Sequence, residues 1–518
     1  MFIYIFFFIH EYYYMLNNKI LIQALYDRKL NVVEQLLKDK QVVSHLDYAN
    51  EKGETAFLLT LHFDMPQYAL KILQYSNIGL EQIDGLKNST LILALKKQYE
   101  EIGLKILQKG FKNINYVDAN GDSALTCALR YNQQSIVNQL FTYKNLDVNI
   151  VDEHGDNALL IAIDNVQEEN ALKILNLYDA DMDYVQKKHN FNALNLAICK
   201  NLEKVSHTLV DKGADTSFVS NTGDTALFCA LNHDMFSLAN KISRTKDPNV
   251  QNVNSFQDVA LGQAINTEDE EMCLEIYKKD QKNVETVNQE NDTTLILALT
   301  HSMYKLSSLL IENGSANFIR HINNNQDSAL FLCITNGYWD LAKIIIQKKY
   351  YDVNQKNLEE DCLMHYLMNY GDEKLALQVF NDNKDIIDVN ILNVENNSLL
   401  ILSIINGMEN LALAYVDKLE PSLINQLNFY GDNALILAIS NQMWKLTEKL
   451  ITNKQVDINF ITKNNDNALL LLVNSRQWKL VEILLKNPNV DKNHRNRLTA
   501  YEILKDWNIH FLLPYFSN

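Results

Sequence analysis

Short segments of one pattern recur along the chain: a small polar residue, then Ala or Thr, then Leu and a further apolar run. GDSALTCAL at 121, GDNALLIAI at 155, GDTALFCAL at 223 and GDNALILAI at 431 are the clearest copies. NSTLILAL at 88, NDTTLILAL at 291, QDSALFLCI at 326 and NDNALLLLV at 465 are weaker ones. Anchored on the small polar residue, units begin at 19, 55, 89, 123, 157, 192, 225, 259, 293, 328, 361, 398, 433, 467 and 499. Successive anchors are 32 to 37 residues apart. A fixed period of this size is the mark of a stacked-repeat protein, in which each unit buries its apolar face only against its neighbours.

Within a unit the apolar positions follow a helical period. The residue two past the anchor is apolar throughout, as at Leu91, Leu125, Leu295 and Leu435. The residue five past is Ala in nine units, among them Ala128, Ala162, Ala230 and Ala438. Positions two, five and six share one side of a 3.6-residue helix, and a bare methyl there lets a second helix come close. After a polar break, as at Asn336-Gly337 and Asn406-Gly407, a second amphipathic pattern follows: Ile136-Val137 with Leu140-Phe141, and Leu480-Val481 with Leu484-Leu485. A short break between two helices makes them antiparallel neighbours. The pattern therefore predicts an all-α solenoid of about fifteen stacked helix-turn-helix units, with Leu125, Ala128, Leu129, Ile136 and Leu140 buried together in one of them.

These residues resemble the ankyrin-repeat family, whose unit is a hairpin-like loop followed by two helices. The stretch most similar to it is Asp211-Lys212-Gly213-Ala214-Asp215 followed by Asn221-Thr222-Gly223-Asp224-Thr225-Ala226-Leu227. Asp147-Val148-Asn149 and Asp352-Val353-Asn354 repeat the family's loop ending. Two departures are consistent along the chain: Ala stands where the family has Pro, and the family's signature His is missing. Ala is the best helix former and Ser, Thr or Asn remain as caps, so helix initiation survives. The lost His implies looser ties between successive loops. Tetratricopeptide repeats share the period, but their Trp, Gly and Pro positions are unmatched. The organisation expected is an apolar amino-terminal segment at 1–18, a repeat array at 19–510 and a carboxy-terminal tail at 511–518.

At the amino terminus, MFIYIFFFI is apolar, but His10 and Glu11 interrupt it well short of the roughly 18–20 residues a membrane span needs. A secretory signal would carry a basic start, and the first cation is Lys19. Met15 precedes the first repeat-like segment, so a start at Met15 and a hydrophobic helix capping the first repeat are both open readings.

Composition narrows the function. The chain carries 47 Lys and Arg against 64 Asp and Glu, a net charge of −17, without a dense basic block. Nucleic acid and anionic membrane are therefore excluded as expected partners. Cys127, Cys199, Cys229, Cys273, Cys333 and Cys362 show no C-x-x-C spacing, which reads as reduced thiols of a cytoplasmic protein, with Cys127, Cys229 and Cys333 on buried helix positions. Phosphate loops, HExxH and GxSxG are all absent, so no enzyme, cofactor or metal is expected. Asn88-Ser89-Thr90 and Asn291-Asp292-Thr293 read as helix caps rather than glycosylation acceptors. Trp339, Trp444, Trp478, Phe236 and Tyr304 share one place in their units and read as packing between helices.

One polar position is unusually regular. The residue before the anchor is acidic in ten units: Glu54, Asp122, Asp156, Asp224, Asp258, Asp292, Asp327, Glu360, Asp432 and Asp466. A carboxylate beside a helix N-terminus meets unpaired N–H groups and the positive end of the helix dipole. In the family that resemblance points to, the same position lies on the loop side where partners bind. Ten carboxylates in register would form a negative rail for a basic protein or peptide, with Asp122, Asp156, Asp224, Asp258, Asp292, Asp327, Asp432 and Asp466 as its partner-binding Asp residues. The function expected is a non-enzymatic protein-interaction scaffold. Its alternative is an adaptor or targeting subunit of a larger complex, such as a ubiquitin ligase receptor or the soluble arm of a membrane protein.

Overall fold

A computed structural model describes residues 15–516 apart from 77, 189, 254–258 and 372. The readings for the apolar run at 1–14 lie outside the described residues. Lys19 does not open a unit: it sits inside a helix spanning 15–26.

Ser123 shows how a repeat is built. Its extended backbone places the side chain to accept from the N–H of Thr126, while the Thr126 hydroxyl accepts from the N–H of Ser123 at 2.8 Å. This reciprocal cap starts the helix Ala124–Arg130. Two turns later Asn132 takes a left-handed backbone, φ 54°, and reverses the chain into the helix Gln134–Leu140. Leu125, Ala128, Leu129, Ile136 and Leu140 are buried together, as the spacing predicts. Each large aliphatic residue buried in this way stabilises the pair by roughly 1.5–3 kcal/mol.

The N-cap side chain likewise accepts from the N–H three residues on at Thr55, Ser89, Asn157, Asn192, Thr225, Thr293, Ser328, Ser398, Asn433, Asn467 and Thr499, and at Thr499 the cap is again reciprocal, through Glu502. In the unit expected at 361 the register is one residue later. Cys362 is the N-cap of Leu363–Tyr370, with His365 Nδ1 accepting from its N–H at 2.9 Å. Cys lies outside the usual capping set, so the polar pattern settles on Asp361 instead. Val259 precedes Ala260–Ile265 with no side-chain cap bond.

Two compact units make up the chain, Met1–Ser255 and Phe256–Asn518. In each, first helices pack on first helices of adjacent repeats and second helices on second helices. Among the described residues there is no strand, only isolated antiparallel bridges such as Val219 with Thr225 and Leu427 with Asn433. The fold is all-α and solenoid-like. At 510–516 the chain forms a 3-10 helix with Leu512 buried, and Lys492 Nζ donates to the Tyr515 carbonyl at 2.6 Å.

Successive loops are tied despite the missing His. Asn149 Nδ2 donates to the carbonyl of Asp179 at 2.8 Å, and its Oδ1 accepts from the N–H of Asp181 at 2.8 Å. Asn115, Asn354, Asn425 and Asn459 make the same pair of bonds to the loop about thirty residues ahead. The expectation of looser loops is thereby corrected: a side-chain amide, with a donor and an acceptor on one fork, satisfies two backbone groups at once.

Candidate functional site

The loops that precede the first helices form one face of each unit, and the acidic positions lie on them. Many of the loops are narrow fingers closed by a bridge to the cap residue, for example Ile83 to Ser89 and Ile461 to Asn467. Four residues before the acidic position a short polar side chain clasps the finger. Asp118 Oδ1 accepts from the N–H of Asp122 at 3.0 Å, and the Asp122 carbonyl accepts from the N–H of Asp118. Asn50, Asp84, Asp152, Ser220, Asn288, Asn323, Asn357, Asn393, Asn428 and Thr462 do the same. Sequence reasoning overlooked these clasps. Their signal is an Asn, Asp, Ser or Thr four residues ahead of each acid, the residue types that bond their own nearby backbone.

The eight predicted Asp residues do not share one environment. Asp122 is buried and pairs with Lys96 at 2.8 Å, and Lys96 also bonds Asp118. Burial opposes the Lys96 charge, yet the two carboxylates hold its pKa above the ordinary lysine value. Asp156 is buried within 3.9 Å of Arg130, which also pairs with Asp152. Burial raises the Asp156 carboxyl. Lys96 and Arg130, each near the end of the preceding first helix, thus offset the negative charge at these two loops.

Asp224, Asp292, Asp327, Asp432 and Asp466 are half-buried. Asp224 accepts from the Thr222 hydroxyl at 2.7 Å. Asp292 accepts from Asn323 Nδ2 of the next loop at 2.7 Å, and Asp466 from Asn496 Nδ2 at 2.9 Å. Burial raises the Asp327 carboxyl, and the negative charge of Asp292 adds to the effect. The structure therefore brings Asp292 and Asp327 into one field. Asp432 follows the left-handed Gly431, φ 89°. Asp258 lies outside the described residues. Of the two Glu residues, Glu54 accepts from Tyr26 and from Asn50 Nδ2. Glu360 is displaced by the register shift to the left-handed turn position, φ 61°, and Asp361 takes its place before the cap.

Capping of helix N-termini by carboxylates does occur, at a position that the repeat pattern alone does not single out. Glu100, Glu270, Glu373 and Glu409 open second helices and accept from the start of the next repeat's second helix, Glu100 from one N–H and the other three from two each. The aromatic positions Phe236, Tyr304, Trp339, Trp444 and Trp478 are the first residues of second helices. Trp339, Trp444 and Trp478 are half-buried there, whereas Phe236 and Tyr304 are exposed.

Cys127, Cys229 and Cys333 are buried as expected. Cys199 differs: the Cys229 thiol and then the His233 imidazole hold it below the ordinary cysteine value, while Cys229 is pushed up. Among the described residues no group of three or more His, Cys, Asp or Glu is placed to hold a metal ion. No described helix is long and apolar enough to cross a membrane.

A family model for ankyrin repeats (3 copies) matches residues 91–185 and 261–357. A solved crystal structure of an ankyrin repeat protein is similar over 38% of this chain and 100% of its own, at 22% identity and a TM-score of 0.32. Among curated proteins none matches the chain.

Proposed function

We propose, from the premise that this chain is built of ankyrin repeats, that it is a non-enzymatic scaffold whose loop and first-helix surface binds a basic protein or peptide. Ankyrin repeats are generally protein-interaction scaffolds. The observation that carries the basic partner is the relation of Asp292 to Asp327: carboxylates of consecutive loops feel each other's charge while held in place by Asn323. Like charges repeated once per loop sum their potential along the surface and speed encounter with a cation-rich partner. Asp122 and Asp156 contribute less, because Lys96 and Arg130 stand beside them. The buried thiols and the absence of a cysteine pair motif support a cytoplasmic setting.

The test is the association rate with the natural partner, recovered by affinity purification, across a salt titration. Asp292→Lys, Asp327→Lys and Asp466→Lys together are expected to slow association at least tenfold at low salt, with the difference shrinking as salt rises. A variant that folds and associates as fast as the parent would overturn the acidic-surface reading.

A further inference from the structure

Three consecutive loops of the second unit carry an apolar side chain at the same place, directly after the clasping Asn. Leu358 follows Asn357, Val394 follows Asn393 and Phe429 follows Asn428. They are 71%, 69% and 80% exposed, and Tyr430, 71% exposed, stands edge-on to Phe429 at 5.5 Å. The row is bounded, since other loops of this unit have Gln289, Asn324 and Lys463 at that place. Local folding does not require these side chains: the clasp belongs to the Asn and the reversal to the left-handed residue two further on. An isolated exposed apolar residue is ordinary, but several in register mark a surface that another chain covers.

The three loops are held in a row. Gln426 Nε2 donates to the Asn396 carbonyl at 2.8 Å, and Asn354 binds the backbone of Ile386 and Asp388 at 2.8 and 2.9 Å. Adjacent packed helices lie about 8–10 Å apart, so the tips recur at about that interval. A chain in the extended polyproline II conformation rises about 3.1 Å per residue with three residues per turn, which brings every third side chain to the same face and so to a tip. Charge selects further. Glu359 and Glu395 are exposed next to Leu358 and Val394, and both add their negative charge at Asp361, whose carboxyl burial and then these charges raise.

We propose that the Leu358–Val394–Phe429 row docks an extended, basic segment of a partner protein that carries an apolar residue at every third position. This rests on the scaffold reading above and adds to it a location and a ligand pattern. Each apolar anchor seats on one tip, and the cationic residues between anchors face Glu359 and Glu395. Sequence preference then follows from the spacing of the loops rather than from a deep pocket.

The probe is a twelve-residue peptide of repeating Leu-Lys-Ser, titrated into the full chain and read by hydrogen exchange at 357–360, 393–396 and 428–431. Protection at those loops is expected. Affinity should fall at least tenfold for a peptide of the same composition with its Leu residues contiguous, for one with Glu in place of Lys, and for the L358S/V394S/F429S variant. These side chains are exposed, so the variant should keep the parent's melting temperature. Absence of protection, equal affinity of the variant, or concentration-dependent self-association that the variant abolishes would each overturn the proposal. If the variant still binds the natural partner, the row falls and the scaffold reading stands. If the parent chain captures no partner, the scaffold reading itself fails.

Discussion

Glu409 caps a helix that does not belong to its own repeat: its Oε1 accepts from the backbone N–H of Lys445 at 2.9 Å. The same oxygen accepts from the N–H of Leu446 at 3.1 Å. These are N–H groups at the start of Trp444–Thr452, which has no cap from its own N-cap side chain. The carboxylate thus supplies both acceptors and negative charge to the positive end of a neighbouring helix. Replacing Glu409 by Ala is expected to cost about 1 kcal/mol, and replacing it by Gln less. Hydrogen exchange should quicken at 444–452 and stay unchanged at 90–96, because a solenoid propagates disruption only to neighbours. Equal quickening at both sites would refute the cross-repeat cap.

Val166 turns the chain between two helices with φ 57°, a conformation in which a β-branched side chain crowds its own backbone. It is exposed, so little packing is lost on replacement. Val166→Asn is expected to stabilise the protein by about 1 kcal/mol and to raise the melting temperature of the first unit. A drop in melting temperature would show that Val166 makes a contact worth more than the strain.

His365 is fully buried, and burial lowers its pKa to about 4, with Lys356 adding to the effect. The unfolded chain titrates near 6.5, so between the two values it binds more protons than the folded one. Stability from this group is present above about pH 6.5 and is lost as pH falls toward 4, by about 3 kcal/mol at most. Asp361, 3.5 Å from Nδ1 and raised by burial, acts in the opposite sense. The measurement is therefore a difference: urea midpoints at pH 7 and pH 5 for the parent and for His365→Asn, which keeps an acceptor for the Cys362 N–H. The parent should lose more. An equal loss in both would assign the pH dependence to other groups.

Cys199 should be the fastest thiol to alkylate near neutral pH. The thiolate is the nucleophile, and Cys199 is half-buried with a lowered pKa, whereas burial pushes Cys273 and Cys333 up to about 12. Iodoacetamide labelling followed by peptide mass spectrometry is expected to mark Cys199 first. Cys229→Ala should slow that reaction, because the Cys229 thiol is the leading cause of the shift. Labelling of all six at one slow rate would contradict the assignment.

Local physics made the repeat legible in the sequence. Ser123 beside Ala124-Leu125 predicts a cap and a helix start, and Leu125, Ala128 and Leu129 share one helical face. Both relations act within two turns of chain, so residue type and spacing suffice. The unit at 361 was legible but its register was not, because an unusual residue, Cys362, completed by His365, does the capping there.

What the tertiary structure alone decided is the partner of each polar group. Asp122 and Asp292 stand at the same place in their repeats, yet one meets Lys96 and the other Asn323. Glu409 and Lys445, or Asn149 and Asp181, lie a whole repeat apart in sequence. A carboxylate's charge is written in the chain, but its field depends on distance and burial, and those are set only when neighbouring repeats pack. The exposure of Leu358, Val394 and Phe429 is of the same kind. An apolar residue reads as core by itself, and only the closed loop beneath it shows that it has nowhere inside to go.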